Sequence, residues 1–458
     1  MTALEKYWES IRGKRIAVIG AGVSNTPLIV LLRQAGLPVT VHDKKQADAL
    51  GERYTELAAL GVSFVLGEDY LDTLTEDVVF RTPGLHPLHP ALVEVRARGG
   101  TVTSEMELFF EVCPCPILGV TGSDGKTTTT TLVYEFLTRA GHTCHLGGNI
   151  GKPLLPEVDT MQPTDLAVVE RSSFQLMDMQ RSPTVAAITN LTPNHLDYHK
   201  DFQEYVQAKT AIYAHQKPGD RLVINLDDPV TQTLDFNPAS EIWGCTKNGT
   251  VQNGVYLQDG TIYIAQDGAA RALMPASEIG IPGAHNVYNV MMAAAVVQGR
   301  CTDAEIVQVA RTFAGVEHRI EFVRELEGVR YYNDSIASSP TRTIAGLQSF
   351  PQKLILIAGG YDKQIPYDVL GQPICQHVHT LIVTGATAPK ICASVAQAES
   401  SDKPVIQQAA DLAEAVRLAH AAARPGDVVL MSPASASFDC FKNFMERGKY
   451  FKELVQSL

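Results

Sequence analysis

Nothing in this sequence is apolar for long enough to cross a bilayer: its longest apolar stretches, LIVLL at 28–32 and MMAAAVV at 291–297, fall far short of the roughly 20 residues that a helical span requires. Basic charge is in deficit. With 38 Lys and Arg against 50 Asp and Glu, the formal net charge of -12 repels phosphate-rich surfaces at long range and disfavours nucleic acid or an anionic membrane as a partner. Any phosphate ligand must therefore be captured locally. Cysteine is sparse: eight are scattered, and the only close pair, Cys113 and Cys115, has no second pair at zinc-ribbon spacing. Reduced structural thiols are expected. The start, MTALEKYWESIRGKRIAVIG, lacks an apolar signal core with a small-residue cleavage site, which predicts a cytoplasmic chain. No internal repeat or low-complexity tract is visible.

What is present is globular material: 45% hydrophobic and 19% charged residues over 458 positions, enough for two or three domains of ordinary size. Short β-branched runs alternate with amphipathic stretches, the rhythm of crossover units around parallel sheets. An α/β chain is expected. Strands read at KRIAVIG, PVTVHD, VSFVLG, DVVFRTPG and TVTSEM give a first domain over 1–104. A second, 105–315, opens with PILGVTGSDGKTTTTTLVYEFLTRAG, continues through LAVVERSS and TVAAITNLT, and carries hairpins around 240–275. The third, 316–458, has strands at GVRYYND, KLILIAGG, HTLIVTG and DVVLMSP.

The most informative stretch is GVTGSDGKTTT at 119–129, which follows a strand and opens a helix. Backbone amides freed by Gly122 and Gly125 can converge on phosphate oxygens, Lys126 supplies positive charge, and Thr127 or Thr128 offers a hydroxyl to Mg²⁺. The spacing is GxxGKT, with Val120 where an ordinary phosphate loop has its first glycine. The strand context and the GKT together favour a nucleotide site over a glycine turn that merely starts a helix.

GAGVSN at 20–25 also follows a strand, with Asp43 closing the next one, much like a dinucleotide fingerprint. Asn25 replaces its last glycine. A UDP-type diphosphate resting on Gly20 and Gly22 fits better than a redox cofactor in a chain that already carries an ATP loop, with plain helix–strand packing as the bland alternative. Glu170 sits just past the end of a strand, where open α/β sheets place ligands, and its carboxylate suits magnesium shared with Thr127 and nucleotide phosphates. The segment 189–213 clusters His195, Asp197, His199 and Lys209. Its HxxxH pair lacks the glutamate of helical zinc proteases, so zinc is not expected.

Taken in order, GSDGKTT, GGNIGKP, ERSSFQL, TNLTPNHLDYH with an AK fourteen residues after its histidine, PGAHNVYN, HRIE, NDSIASSP and SPASASFDCFKNFMERG resemble the Mur ligase family over nearly the whole chain. The N-terminal glycine domain and the ending FDCFKNFMERG are similar to the branch that adds D-glutamate to UDP-N-acetylmuramoyl-L-alanine, and the DNPR motif of the diamino-acid-adding branch is missing. The resemblance implies a Rossmann-like N-terminal domain, a central P-loop ATPase-like domain and a Rossmann-like C-terminal domain in a monomer. It implies that UDP is held by Gly20, Gly22, Ser24, Lys44 or Lys45, and Gly84, with Asn149 on the diphosphate. Gly122, Ser123, Asp124, Gly125, Lys126, Thr127 and Thr128 match the ATP-phosphate residues, His285, Asn286 and Asn289 the adenine segment, and Arg319 and Asp334 further nucleotide contacts.

By the same resemblance Glu170, His195 and Lys209 join Thr127 around two magnesium ions, with Lys209 carrying a carbamate; Lys126, His195 and Lys209 are the implied catalytic residues. Read as a plain helix residue, Lys209 would be an ordinary exposed charge. Ser338, Lys363, Ser437 and Phe444 match the side that engages D-glutamate. Ile336 departs from the pattern, since many relatives have lysine there, and Arg342, six residues on, is the candidate replacement for that positive charge. The implied reaction activates the alanyl carboxylate as an acyl phosphate, which the amine of D-glutamate then attacks. The alternatives are another Mur-type or folylpolyglutamate-type amide ligase, and an NAD(P)-dependent oxidoreductase using GAGVSN.

Overall fold

The computed structural model describes every residue except Asp197 and Gln364. The chain divides into two compact units, one formed by Met1–Ser277 with Tyr288–Val309, the other by Glu278–Val287 with Ala310–Leu458.

The first unit holds two sheets. A five-stranded parallel sheet runs in the spatial order Ser63–Leu66, Val39–Asp43, Ile16–Ile19, Val78–Phe80, Thr101–Thr103. Two of its three inner strands, IAVI and VVF, are buried throughout, the near-continuous apolar pattern of strands covered on both faces. Reversal of strand order beside Ile16–Ile19 places the GAGVSN loop at a switch point.

The second sheet has nine strands, in the order Ala269–Pro275, Thr261–Gln266, Gly254–Gln258, Glu241–Thr246, Arg221–Asn225, Val185–Ile188, Ile117–Thr121, Leu166–Glu170, Cys144–Gly148. All neighbours are parallel except the last three strands at the Ala269 edge, which form an antiparallel meander. The hairpins expected around 240–275 are this meander, but Glu241–Thr246 pairs in parallel on both sides. Cys144–Gly148 and Arg221–Asn225 went unread in the sequence.

In the second unit a six-stranded sheet runs Glu321–Leu326, Val329–Asn333, Val428–Met431, Leu354–Gly359, Val378–Thr384, Val405–Gln408, with only its first pair antiparallel. Apolar clusters cover both faces: Leu356, Leu381 and Leu430 lie on one, Ile355, Ile382 and Val429 on the other. Loops at the carboxyl ends of these strands carry NDSIASS, GGYDK and SPASASF. No helix of the described residues is long and apolar enough to cross a membrane.

Candidate active site

The strand Ile117–Thr121, central in the nine-stranded sheet, turns through Gly122–Gly125 into the helix Lys126–Arg139. This turn requires its glycines. At Gly122 (φ 147°) a Cβ would stand 1.9 Å from Thr189 Oγ1, and at Gly125 (φ 77°) 2.4 Å from Asn289 Oδ1. The loop is clamped from one side: Ser123 N–H donates to Asn190 O and Asp124 N–H to Asn190 Oδ1, each at 2.9 Å, while Thr189 Oγ1 donates to Asp124 O at 2.5 Å. Lys126 Nζ donates back to Ser123 O at 2.8 Å. No side chain caps the helix at Gly125, so its leading amides and dipole serve whatever anion meets the loop. Thr128 is buried, Thr127 half-buried.

Lys209, one of the implied site residues, lies against this loop and is not the exposed charge that a plain helix position would give. It lies on the helix Phe202–Ala214 at 1% exposure, in a buried stripe with Tyr205, Ala208, Ile212 and Tyr213. Its Nζ donates to Gly122 O at 2.8 Å and Thr121 Oγ1 at 3.1 Å, and rests 4.9 Å from the Tyr205 ring centroid. Among the described residues no carboxylate hydrogen-bonds it. Burial, reinforced by the neighbouring charge of Lys126, holds its ammonium well below the usual lysine range, and the carboxylates of Glu170 and Asp124 do not offset this. Its amine lies directly beneath the glycine loop, against Gly122 O. Tyr205 extends the support, its OH meeting Ser123 Oγ at 2.8 Å.

Glu170 ends the strand Leu166–Glu170, beside Ile117–Thr121, at 1% exposure. Its Oε1 accepts from Asn149 Nδ2 at 2.7 Å, whereas Oε2 is buried without a hydrogen-bond partner among the described residues. A desolvated carboxylate oxygen left without a donor is costly unless a cation meets it. Hard oxygens from Glu170 and the threonines suit magnesium, so the residues fit the expected ion.

His195 has φ 55° and is exposed, its ring edge-on to Phe174 with centroids 4.9 Å apart. His199 points elsewhere: buried, it meets Ser173 Oγ through Nε2 at 2.9 Å and stacks on Phe174. Asp197, the third member of the expected cluster, lies outside the described residues. No group of three or more metal-ligating His, Cys, Asp or Glu side chains occurs among the described residues. At the other glycine loop, Gly20 takes φ 82° and donates to His42 O at 2.8 Å, while Asp43 accepts from the Ala21 amide at 2.8 Å and the Lys45 amide at 2.9 Å. Gly22 and Gly84 are exposed and Ser24 half-buried. Lys44 pairs with Glu68 at the surface, 3.0 Å away.

Of the adenine-segment candidates, Asn289 is buried beside the loop and accepts from Thr129 Oγ1 at 3.3 Å. His285 and Asn286 belong to the other unit, where the Asn286 side chain bonds Pro282 O at 2.5 Å. In that unit Asp334 is fully buried, accepting from Ser432 Oγ at 2.7 Å and the Ile320 amide at 3.3 Å; burial raises its carboxyl to about 7 despite nearby Arg319. Arg342 Nη1 donates to Ile336 O at 3.3 Å, and Lys363 Nζ stands 6.0 Å from the Phe438 ring centroid. Ser338 is half-buried and Ser437 buried. Phe444 O accepts from Ser335 Oγ at 2.7 Å.

Arg447 is a buried brace that the sequence reading missed. At 4% exposure, it donates from Nε to Ser335 Oγ (3.0 Å), from Nη1 to Ala436 O (2.9 Å), and from Nη2 to Ser335 O (2.9 Å) and Ser435 O (3.0 Å). One guanidinium thus ties the NDSIASS loop to the SPASASF loop. The available signal was its place in the stripe Arg447, Gly448, Phe451, Val455, where a helix of this kind should present apolar residues.

Residues 120–297 match the model of the Mur ligase middle domain, and residues 318–435 that of the Mur ligase glutamate ligase domain. The UDP-N-acetylmuramoylalanine--D-glutamate ligase of Acetivibrio thermocellus is 47% identical, the alignment covering 100% of this chain and 99% of the relative. The protein of the same name from Ruminiclostridium cellulolyticum is 46% identical over 99% of both. Among solved structures, a UDP-N-acetylmuramate-alanine ligase from Thermotoga maritima superposes with a TM-score of 0.56 at 18% identity, covering 97% of this chain and 99% of that one. That likeness concerns the fold.

Proposed function

The chain belongs to the Mur ligase family, and from that premise we infer that it joins D-glutamate to UDP-N-acetylmuramoyl-L-alanine at the expense of ATP, in peptidoglycan precursor synthesis. The observation that carries the inference is end-to-end identity of 46 to 47% with ligases named for that reaction. The clamped loop of Lys126 supplies its chemistry.

A carboxylate does not accept an amine until one of its oxygens becomes a leaving group. The alanyl carboxylate of the acceptor attacks the γ-phosphorus of ATP, releasing ADP and forming an acyl phosphate; the amine of D-glutamate adds to the acyl carbon, and the tetrahedral adduct expels phosphate. Amides of Gly122, Gly125 and the following helix turn receive phosphate oxygens, and Lys126 exchanges its hydrogen bond to Ser123 O for the terminal phosphate, steadying the charge that moves during transfer. Glu170, His195 and a hydroxyl of Thr127 or Thr128 would hold magnesium, which supplies charge neutralisation on the nucleotide when bound. Burial holds the Lys209 ammonium well below the usual lysine range, which favours the free amine that CO₂ adds to; as a carbamate it would offer anionic oxygens to a second ion.

We read the five-stranded sheet as a Rossmann-like domain (1–104) binding UDP at Gly20, Gly22, Ser24, Lys44 or Lys45 and Gly84, with Asn149 of the next domain on the diphosphate. The central region (105–315) is read as P-loop ATPase-like, and 316–458 as a second Rossmann-like domain. There Arg319 and Asp334 serve the nucleotide, while Ser338, Arg342, Lys363, Ser437 and Phe444 serve D-glutamate. A monomer working in the cytoplasm suits these substrates. The test is product formation: with UDP-N-acetylmuramoyl-L-alanine, ATP, Mg²⁺ and D-glutamate, the protein releases phosphate and yields the amide seen by mass spectrometry. Turnover with L-alanine or a diamino acid in place of D-glutamate overturns the assignment.

A further inference from the structure

The thiol pair Cys113 and Cys115 stands apart from the site described above. Cys113 ends the helix Glu105–Val112, donating its N–H to Phe109 O at 2.9 Å, and Cys115 lies just ahead of the strand Ile117–Thr121. That helix buries Met106, Leu108, Phe109 and Val112 in the core under the five-stranded sheet, whereas the strand delivers the loop of Lys126. Only Pro114 separates the two cysteines, and its fixed φ limits how far the tripeptide can splay. The sulfurs are 3.5 Å apart, and Cys113 Sγ also stands 3.5 Å from Cys115 O. Cys113 is half-buried and Cys115 is 6% exposed, so the first is the more accessible residue of the pair.

We propose that Cys113 and Cys115 form a reversible dithiol–disulfide site, oxidised by small-molecule disulfides and placed on the link into the ATP loop. The Cys113 thiolate attacks one sulfur of the disulfide RSSR, giving a mixed Cys113–S–S–R bond and releasing RS⁻, which takes up the Cys113 proton. Cys115, deprotonated to solvent, then attacks Cys113 Sγ and expels the second RS⁻. In sum two protein thiols lose two electrons and two protons, and RSSR becomes two RSH. The order follows from exposure, half-buried Cys113 being more open to RSSR than Cys115 at 6%, and the contact between the sulfurs lowers Cys113 below the ordinary thiol range.

The test treats the full-length native protein with oxidised glutathione, blocks remaining thiols with iodoacetamide, and weighs the peptide that contains both cysteines. Wild-type protein loses the mass of two hydrogen atoms there, takes no alkyl group, and regains both thiols with dithiothreitol. Cys115→Ser stops at a glutathione adduct on Cys113. The exposed Cys440 serves as internal control and gives only an adduct. A wild-type peptide that halts at the adduct, or that stays fully alkylatable while Cys440 reacts, overturns the proposal. The readout is independent of ligase activity, so it stands or falls separately from the assigned reaction.

Discussion

Each unit of the molecule buries a cation within a helix stripe, and the two meet burial in different ways. Lys209 gives two hydrogen bonds, to Gly122 O and Thr121 Oγ1, and is held well below the usual lysine range by burial and by Lys126. Arg447 gives four, all to carbonyls or a hydroxyl, and burial lowers it only to about 10. Among the described residues neither hydrogen-bonds a carboxylate. A guanidinium keeps its charge and spreads its donors over several acceptors, so Arg447 is a brace between two loops. An ammonium in the same predicament binds its proton less tightly, which suits Lys209 to the carbamate proposed for it rather than to bracing. Similar burial thus braces two loops in one unit and lowers the proton affinity of a lysine in the other.

That comparison breaks most visibly at the lysine. Lys209→Ala is expected to abolish turnover, and short carboxylic acids should restore part of it by placing a carboxylate where the carbamate stood. Absence of both rescue in the variant and CO₂ dependence in the wild type would remove the carbamate from the mechanism. Replacing Lys126 by Ala should lower kcat by about 10³ in a phosphate-release assay, the scale seen when one donor to a developing anion is deleted. At Arg447 the expected loss is of stability: Arg447→Ala leaves buried carbonyls unpaired and should cost about 3 kcal/mol in denaturant unfolding. Unchanged stability would deny it the role of a brace.

A pH effect separates the two units further. Because burial raises Asp334 to about 7, the native state holds that proton more tightly than the unfolded chain. Stability from this group is full below the ordinary carboxylate range and falls as pH climbs towards about 7. Asp334→Asn should flatten the slope in that window. Lys209 works in the opposite sense, its depressed proton affinity making stability rise with pH below the usual lysine range. The smallest change is expected at the surface: Arg342→Ala should raise the apparent KM for D-glutamate by about fivefold, and an unchanged KM would leave the gap at Ile336 without a replacement charge.

The same two residues show what the sequence could disclose. Strands made of β-branched runs beside glycine turns, such as IAVI and ILGVT, were legible because pattern and propensity agree there. Cys144–Gly148 (CHLGG) was not, since two of its five residues are glycine; pairing with Leu166–Glu170 makes it a strand. Ala269–Pro275 has an alanine-rich composition and is extended only through its neighbour Thr261–Gln266. The strand, glycine turn and helix around Lys126 were legible, because glycine spacing dictates them. Lys209 taken alone reads as a solvated charge, and only the apolar positions around it, Tyr205, Ala208, Ile212 and Tyr213, reveal that it lies inside. Arg447 is hidden by the same rule and yields to the same correction.

The proposed chemistry depends on the loop of Lys126 gripping a triphosphate. Calorimetric titration of the wild-type protein and of Lys126→Ala with ATP and Mg²⁺ tests that directly. Saturable one-site binding is expected in the wild type and its loss in the variant; equal binding by both proteins, or none by either, contradicts the assigned role of the loop.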